Sequence, residues 1–339
     1  MPPPADRHGT IDAHDPFALL AQTAAGYALS RCLHCIARLG IADLIGENPI
    51  PATELATASG AHPDTLLRML RLLSAHGIFR VEGDMVSHSA ASQLLRSDHP
   101  QSALALVNMF GLPINWQVYE HLDHSLKTGL PATEKVMPDG LWNYYASHAE
   151  ENRIFNAAMT AKAHAHLYGI LNSYDFSSFN IIVDIAGGRG HLLQGILNAT
   201  NGAKGILFDL PHVIAEAKEL ASERLALQPG DFFKDQLPSA DAYLLMEIIH
   251  DWPDEESVAI LKAIHRAAPK NAKLLVIEQI MPETSGPHWA KTLDILMLAL
   301  VGGRQRTQQE YASLLERAGF TFVQEIDAVV GVSILEAHA

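Results

Sequence analysis

Residues 181–190 read IIVDIAGGRG and carry the strongest structural signal in this chain. The β-branched apolar run that ends at Asp184 and Ile185 predicts a buried parallel strand. The glycines that follow allow a sharp turn and let a ligand approach the backbone closely. A second predicted strand, 205–208, ends at Asp209, where an acid can bind the hydroxyl pair of a ribose. Strand, glycine turn, helix, strand and acid together indicate a nucleoside-binding sheet.

The spacing of the small residues indicates which nucleoside is bound. The dinucleotide fingerprint G-x-G-x-x-G fails, because its third glycine would fall on Leu193. Instead, Ala186, Gly188 and Gly190 alternate, which resembles the glycine loop of S-adenosylmethionine (SAM) methyltransferases. Together with Asp209, this alternation favours SAM over a dinucleotide.

Length and composition limit the class of protein. The chain has 339 residues, of which 48% are hydrophobic and 18% charged, so two folded domains are expected. A formal net charge of −14 argues against nucleic acid and anionic membranes as partners. The sequence contains no apolar run of the roughly 20 residues that span a bilayer, and its first residues lack a secretory signal pattern. We therefore expect a cytosolic protein.

Cys32 and Cys35 are the only cysteines in the sequence. A metal site of the C-x-x-C type needs a second pair, and neither this segment nor the histidines provide a ligand pattern. Apolar residues recur at helical spacing around the two cysteines. We therefore interpret them as helix residues and expect no metal.

The amino-terminal part predicts a winged-helix layout. Two predicted helices, the second running from Pro63 to Ala75, precede strands at 78–81 and 84–87. DNA binding is disfavoured, because Arg68 and Arg71 lie among leucines and the first hundred residues are acidic without lysine. The predicted divisions are a disordered tail (1–15), a winged-helix-like domain (16–100), a helical segment (101–172) and a nucleoside-binding domain (173–339).

Beyond Tyr174, strands and helices alternate, which predicts a Rossmann-like, doubly wound α/β domain with a parallel sheet. The predicted strands are 180–185, 204–208, 226–229, 241–247, 272–279 and 320–325.

Two later strand ends carry candidate functional residues. Asp231 and Phe232 follow the third strand, where an acid and an aromatic ring can bind an adenine; an ordinary turn is the alternative. His250 and Asp251 follow the fourth strand. Because the carboxyl ends of parallel strands surround the ligand, His250 is well placed as a general base. Asp251 also fits a helix cap, and both roles can hold together.

Four segments, 181–190, 205–214, 230–233 and 250–256, stand in an order that resembles the SAM-dependent O-methyltransferases of the caffeic-acid and hydroxyindole type. That group includes bacterial natural-product tailoring enzymes, and the resemblance covers nearly the whole chain. It implies that the winged-helix domain forms a homodimer and that SAM is the cofactor.

The resemblance also implies roles for individual residues. His250 is the implied base, oriented by Glu278, and Asp209 is implied at the SAM ribose. The other implied contacts are Asp231 and Phe232 with adenine, Tyr145 near the methionyl carboxylate, and Phe155, Met159, Asp251 and Met297 with the acceptor.

Three positions depart from the family pattern. Ala186 replaces the first loop glycine, and Met246 stands where plant members often carry a lysine near the cofactor. Gln305 stands where a glutamate usually precedes the Arg-Thr pair; it can hydrogen-bond His250 but adds no charge. Whether Gln305 or Glu310 takes the second acid's place is left open, although Glu310 fits a helix.

We therefore expect a homodimeric, metal-free SAM-dependent O-methyltransferase that methylates an aromatic hydroxyl of a small molecule. The alternatives are a SAM-binding relative that performs another reaction and a winged-helix regulator that senses SAM.

Overall fold

The computed structural model describes residues 15–339, which fall into two compact units, one ending at Gly111 and the other running from Leu112 to Ala339. The predicted tail, 1–15, lies outside the described residues except for Asp15, whose carboxylate caps the first helix by accepting a hydrogen bond from the Phe17 N–H. The boundary between the two compact units lies after Gly111. The predicted domain divisions at residues 15, 100 and 172 stay a prediction.

The first unit has the predicted order of two helices followed by a hairpin. The second of these two predicted helices spans Pro63–Ala75, as predicted, and buries Leu66, Leu70 and Leu73. Arg71 of this helix donates a hydrogen bond to the carbonyl of Gly83. The three strands pair antiparallel in the order β1-β3-β2. The short strand β1 was not predicted. The elements are α1 (Pro16–Ala24), α2 (Tyr27–Arg38), β1 (Ile50–Pro51), α3 (Ala52–Ser59), α4 (Pro63–Ala75), β2 (Phe79–Glu82), β3 (Met85–His88), α5 (Ala90–Gln93) and α6 (Leu104–Phe110).

The second unit is built on a seven-stranded sheet. Its strands are β4 (Ile181–Ile185), β5 (Lys204–Asp209), β6 (Leu225–Pro229), β7 (Ala242–Met246), β8 (Lys273–Glu278), β9 (Thr321–Asp327) and β10 (Ser333–His338), in the order β6-β5-β4-β7-β8-β10-β9. All six predicted strands are present. The first five strands in the sheet order are parallel, but β10 runs antiparallel to both of its neighbours.

The expectation of a wholly parallel sheet is therefore corrected at one edge. Strands β9 and β10 form a hairpin, which needs no crossover helix, and β10 inserts between β8 and β9. Strand β10, which the sequence analysis did not predict, is the element that places β9 at the edge.

Helices cover both faces of this sheet. They are α7 (Pro113–Glu120), α8 (Leu122–Thr128), α9 (Leu141–Ser147), α10 (Ala149–Ser173), α11 (His191–Ala199), α12 (Pro211–Glu216), α13 (Asp254–Ala267), α14 (Trp289–Leu300) and α15 (Gln308–Ala318). Apolar residues of α13 and α15 fill one face, and those of α10 and α11 fill the other. Leu141 and Tyr145 pack with Ala299 of α14, so the helices from 112 to 147 belong to this unit.

The strand order reverses between β4 and β7. In open α/β sheets, ligands bind outside the carboxyl ends of the strands at such a reversal. The predicted glycine loop follows β4, and the predicted base follows β7, so both lie at this edge. Within residues 15–339, none of the helices combines the length and apolar character needed to cross a membrane.

Candidate active site

The loop after β4 is shaped by close backbone contacts. A Cβ on Gly187 would overlap the carboxylate of Asp184 and lie 2.7 Å from Leu207 Cδ1, so only glycine fits there without a shift. Ala186 adopts φ of 56°, a left-handed conformation that is uncommon for alanine. Its N–H donates a hydrogen bond to the Phe208 carbonyl at 2.7 Å, which ties the loop to β5. The alanine is thus accommodated in the glycine loop.

Two acids lie beneath this loop. Asp209 at the end of β5 accepts hydrogen bonds from the N–H groups of Gly188 at 2.8 Å and Leu210 at 2.6 Å. Burial raises the pKa of Asp209 to about 6, although both N–H groups oppose the shift. Burial and the charge of Asp209 raise the pKa of Asp184 to about 8. A cationic ligand at this edge would favour the ionised form of both acids.

A third carboxylate connects the loop to α10. Glu216, the last residue of α12, accepts hydrogen bonds from the side-chain amides of Asn152 at 3.1 Å and Asn156 at 2.8 Å. It also accepts two from the guanidinium of Arg189 in the glycine loop, at 3.1 and 2.8 Å. Glu216 therefore joins three elements around the strand reversal, and the sequence analysis did not identify it.

The turn after β6 holds the predicted adenine contacts. The carboxylate of Asp231 accepts hydrogen bonds from the Phe233 N–H at 2.9 Å and from Lys234 Nζ at 2.7 Å. Burial would raise the pKa of Asp231, but these two donors outweigh it and lower the pKa. Phe232 packs edge-on against Trp252, with ring centroids 5.9 Å apart. The turn after β6 therefore contacts the segment that carries His250.

The predicted base lies in the most densely bonded part of the site. His250 belongs to a 3₁₀ turn, Ile249–Asp251, just after β7, and its side chain is almost fully buried. Its Nδ1 lies 3.0 Å from Oε2 of Glu278, which is wholly buried at the end of β8. The other oxygen of Glu278 accepts the His250 backbone N–H at 3.1 Å. One carboxylate thus holds both the ring and the main chain of His250.

Gln305 and Asp251 complete the surroundings of the ring. The side-chain nitrogen of Gln305 lies 2.9 Å from His250 Nδ1, and Asp251 Oδ1 lies 3.4 Å from Nε2. Because Glu278 can only accept, Nδ1 carries the hydrogen and Nε2 carries the lone pair in the neutral ring. Gln305 stabilises this tautomer when its amide is rotated by 180°, with the oxygen towards Nδ1. Nε2 is then the atom that can accept a proton.

The electrostatics of the cluster favour a protonated ring. Burial by itself would lower the pKa of His250, but the charge of Glu278 and of neighbouring acids raises it to about 9. Burial raises the pKa of Asp251 to about 7, while the charge of His250 acts in the opposite direction. His250 is therefore a stronger base than an ordinary histidine.

The loop after α14 secures this arrangement. Arg306 is the largest fully buried side chain in the described residues; it donates hydrogen bonds to the carbonyls of Ile249 at 3.1 Å and Trp252 at 2.8 Å. It also pairs with Asp254 at 2.7 Å. Arg306 thereby fixes the turn that carries His250 from both sides.

Glu310 has a different role from Gln305. Its carboxylate accepts the Thr307 N–H at 2.8 Å in a capping box at the start of α15. Of the two candidates that the sequence analysis left open, Gln305 is therefore the one that contacts His250.

Comparison with known proteins identifies the family. Residues 119–321 match the family model of the O-methyltransferase domain, and residues 21–98 match that of the O-methyltransferase dimerisation domain. The chain belongs to the O-methyltransferase family.

Individual relatives agree with this assignment. The phenazine O-methyltransferase PhzM of Lysobacter antibioticus is 36% identical, over 95% of this chain and 96% of its own length. The structure of human N-acetylserotonin methyltransferase in complex with SAM is similar with a TM-score of 0.89 at 26% identity, covering 97% of this chain and 99% of that one. NcsB1, an O-methyltransferase from neocarzinostatin biosynthesis in complex with SAM and 2-hydroxy-5-methyl naphthoic acid, has a TM-score of 0.80 at 30% identity, with 97% and 100% coverage.

The remaining predicted contacts of this O-methyltransferase are distributed over several elements. Tyr145 of α9 is buried and stacks on Phe155 of α10, with ring centroids 4.7 Å apart. Met159 of α10, Met297 of α14 and Met246 at the end of β7 are half-buried. Tyr145 and Phe155 are thus in contact. Residues 15–339 contain no group of three or more histidine, cysteine, aspartate or glutamate side chains that could hold a metal ion.

Sequence reasoning missed a second ionised cluster next to the base. Glu247 follows β7 directly and pairs with Lys162 of α10 at 2.6 Å. Its backbone has φ of 55°, again left-handed. Lys162 and Glu247 lie far apart in the chain, so only the fold brings them together. The signal in the sequence that could have identified Glu247 is a charged residue at the end of a buried strand.

Proposed function

We propose that this O-methyltransferase transfers the methyl group of SAM to a phenolic hydroxyl of a small aromatic natural product, with His250 as the general base. The observation that carries the proposal is the pairing of His250 with Glu278. It leaves Nε2 of the ring as the proton acceptor and raises the pKa of the imidazole to about 9.

The residues at the strand reversal fit SAM. Asp209 would hold the ribose, and the loop with Ala186 and Gly188 would approach the methionyl part closely. The buried acid pair, in which Asp184 and Asp209 both have raised pKa values, favours a ligand that carries positive charge, as SAM does. Asp231 and Phe232 would hold the adenine, and Tyr145 would lie near the methionyl carboxylate. SAM supplies a methyl group that is already activated by its sulfonium.

The protein's own task is then to align the acceptor and to take its proton. A phenol has a pKa near 10, close to the value of about 9 for His250, so proton transfer to Nε2 is nearly balanced. Glu278 would stabilise the imidazolium that forms, and Gln305 would hold the ring in the correct tautomer. A positioned base typically contributes on the order of 10²–10⁴-fold. The phenolic oxygen becomes nucleophilic as the methyl group arrives.

The acceptor pocket is proposed to be largely apolar. Phe155, Met159 and Met297 would contact a flat aromatic ring, with Asp251 near its hydroxyl. NcsB1, which the chain resembles over 97% of its length, has a hydroxynaphthoic acid in its structure. That bound molecule supports an aromatic hydroxy compound as the acceptor.

We propose a homodimer on the basis of the first unit. The match to the family's dimerisation domain supports this state. Helix α1 buries none of its described residues and exposes Phe17 and Leu20, and Tyr27 of α2 is also exposed. A second copy of the chain would cover this apolar surface.

The test uses SAM labelled in the methyl group and a panel of phenols, hydroxynaphthoic acids, phenazines and aromatic amines. We expect labelled product from at least one hydroxylated aromatic. The His250→Asn variant should lose at least about 100-fold in turnover while binding S-adenosylhomocysteine (SAH) as the wild type does. Full turnover by that variant would exclude His250 as the base. Binding of SAM without methyl transfer to any acceptor would favour the non-methylating alternative.

A further inference from the structure

A second buried carboxylate, Glu247, lies beside the proposed base, and the mechanism above does not use it. Glu247 follows β7, and its side chain is 9% exposed. Non-glycine residues with left-handed backbone angles persist only where their surroundings hold them, and such residues cluster at functional sites. The Glu247 N–H donates a hydrogen bond to the Ile277 carbonyl at 2.9 Å, which holds this conformation against β8.

Three side chains surround the carboxylate of Glu247. Lys162 Nζ lies 2.6 Å from Oε1, and the Gln279 amide donates a hydrogen bond to the same oxygen at 3.0 Å. His166 Nδ1 lies 3.9 Å from Oε2. Burial by itself would raise the pKa of Glu247, but Lys162 and the nearby histidines lower it to about 2. Glu247 is therefore a negative charge that persists at any working pH.

Helix α10 carries the countercharge on the face that also bears predicted acceptor contacts. Phe155, Met159, Lys162 and His166 recur at intervals of three and four residues, so they share one side of the helix. The residues proposed for the acceptor pocket and Lys162, the partner of Glu247, therefore lie on the same face of α10.

Glu247 and His250 both follow β7, and consecutive residues at the end of β8 hold them: Gln279 donates to Glu247, and Glu278 contacts His250. Glu247 and His250 each favour the charged form of the other, since the negative carboxylate stabilises the imidazolium. Gln305 contacts the ring at 2.9 Å but carries no charge. We propose that Glu247 is a positioning residue whose carboxylate adds to the effect of Glu278 at His250, and that Lys162 moderates its effect. This inference rests on the proposed function.

Other polar, charged and titratable groups also surround His250 or Glu247, and the test must separate Glu247 from them. They come from β8 and the residue after it, from α10, from the turn itself, and from the loop and helix that follow α14: Glu278, Gln279, Lys162, His166, Asp251, Gln305, Arg306 and Tyr311. Two single substitutions separate the effect of Glu247 from theirs, because each removes one charge of the Lys162–Glu247 pair and leaves all the other groups in place.

The two substitutions have opposite expected effects. Glu247→Gln removes a negative charge and leaves Lys162 uncompensated, so the pKa of His250 falls. Lys162→Gln removes a positive charge and leaves Glu247 unscreened, so the pKa of His250 rises. A purely structural role would lower turnover in both variants without moving the pH dependence in opposite directions.

The experiment measures kcat/KM against pH from 6 to 10 with saturating SAM and a phenolic acceptor on which the wild type is active. In Glu247→Gln, the rise of kcat/KM with pH should move to lower pH; in Lys162→Gln, it should move to higher pH. Glu247→Asp, which keeps the charge, should retain the wild-type midpoint. Glu150→Gln removes an exposed acid from α10, the helix that carries Lys162. It serves as the control and should also retain the wild-type midpoint.

An unchanged midpoint in Glu247→Gln, with SAH binding intact, would overturn the inference. If that variant does not fold, an unchanged or lowered midpoint in Lys162→Gln would do the same. Absence of methyl transfer by the wild type would instead refute the proposed function, so the two failures are distinguishable.

Discussion

Replacement of Gly303 by alanine should disrupt the active site, because the added methyl group would clash with the main chain of the turn that carries His250. A Cβ at this position would overlap the carbonyl oxygen of His250, and it would lie 2.6 Å from the carbonyl carbon of Asp251. These are backbone atoms of the turn that carries the base, and Arg306 holds that turn in place. The clash cannot be relieved by rotating a side chain, so one of the two segments must move.

The expected loss of stability follows from two contributions. Overpacking against fixed atoms destabilises by about 1–3 kcal/mol. Moving the loop also breaks the hydrogen bond from the Arg304 N–H to the His250 carbonyl, 2.9 Å long, which contributes about 1 kcal/mol. We therefore expect the free energy of unfolding to fall by about 2–4 kcal/mol. Gln305 should also move away from His250 Nδ1, so turnover should fall in the fraction that remains folded.

Urea unfolding and methyl transfer measure the two effects. Gly286→Ala is the matched control, because a Cβ there meets no heavy atom within 4 Å. We expect this control to remain within about 0.5 kcal/mol of the wild type. The steric reasoning would be refuted if Gly303→Ala were equally stable and active, or if both substitutions destabilised the protein to the same extent.

Three further predictions concern charged groups of the site. Because only the neutral ring accepts a proton and the pKa of His250 is about 9, kcat/KM of the wild type should rise about tenfold from pH 7 to 8, reach its midpoint near pH 9 and level off above it. A profile that is flat above pH 6.5 would contradict this. The pKa of Asp184 is about 8 in the folded state, so the folded protein holds a proton that the unfolded chain releases above about pH 4, and its stability falls as pH rises through this window. Asp184→Asn should therefore gain stability relative to the wild type between pH 5 and 7.5 in urea unfolding, and a constant difference would be the contrary finding. Glu216→Gln loses the ion pair with Arg189 that connects the glycine loop to α12, so calorimetry should show several-fold weaker SAH binding, with Glu219→Gln, an exposed neighbour, unaffected.

The elements of the sheet and the positions of the main chemical groups could be predicted from local patterns. Buried strands require continuous apolar runs, and parallel strands place their carboxyl ends at one edge, so Asp209 and His250 were located by strand ends alone. The hairpin of the first unit and the end of α4 were also predictable, since Gly77 accepts the left-handed conformation there. These are short-range requirements that each segment meets within a few residues.

Contacts between distant segments lie beyond such patterns. Strand β10 reads as a short apolar run, and its place between β8 and β9 depends on pairing with both neighbours. The charge of Glu247 likewise depends on a distant residue, Lys162. Gln305 reaches His250 because Gly303 lets the two main chains approach closely. The amino-acid order thus specified which groups stand at the ends of strands. Their ionisation and partners emerged from packing, because burial and charge proximity act through space rather than along the chain.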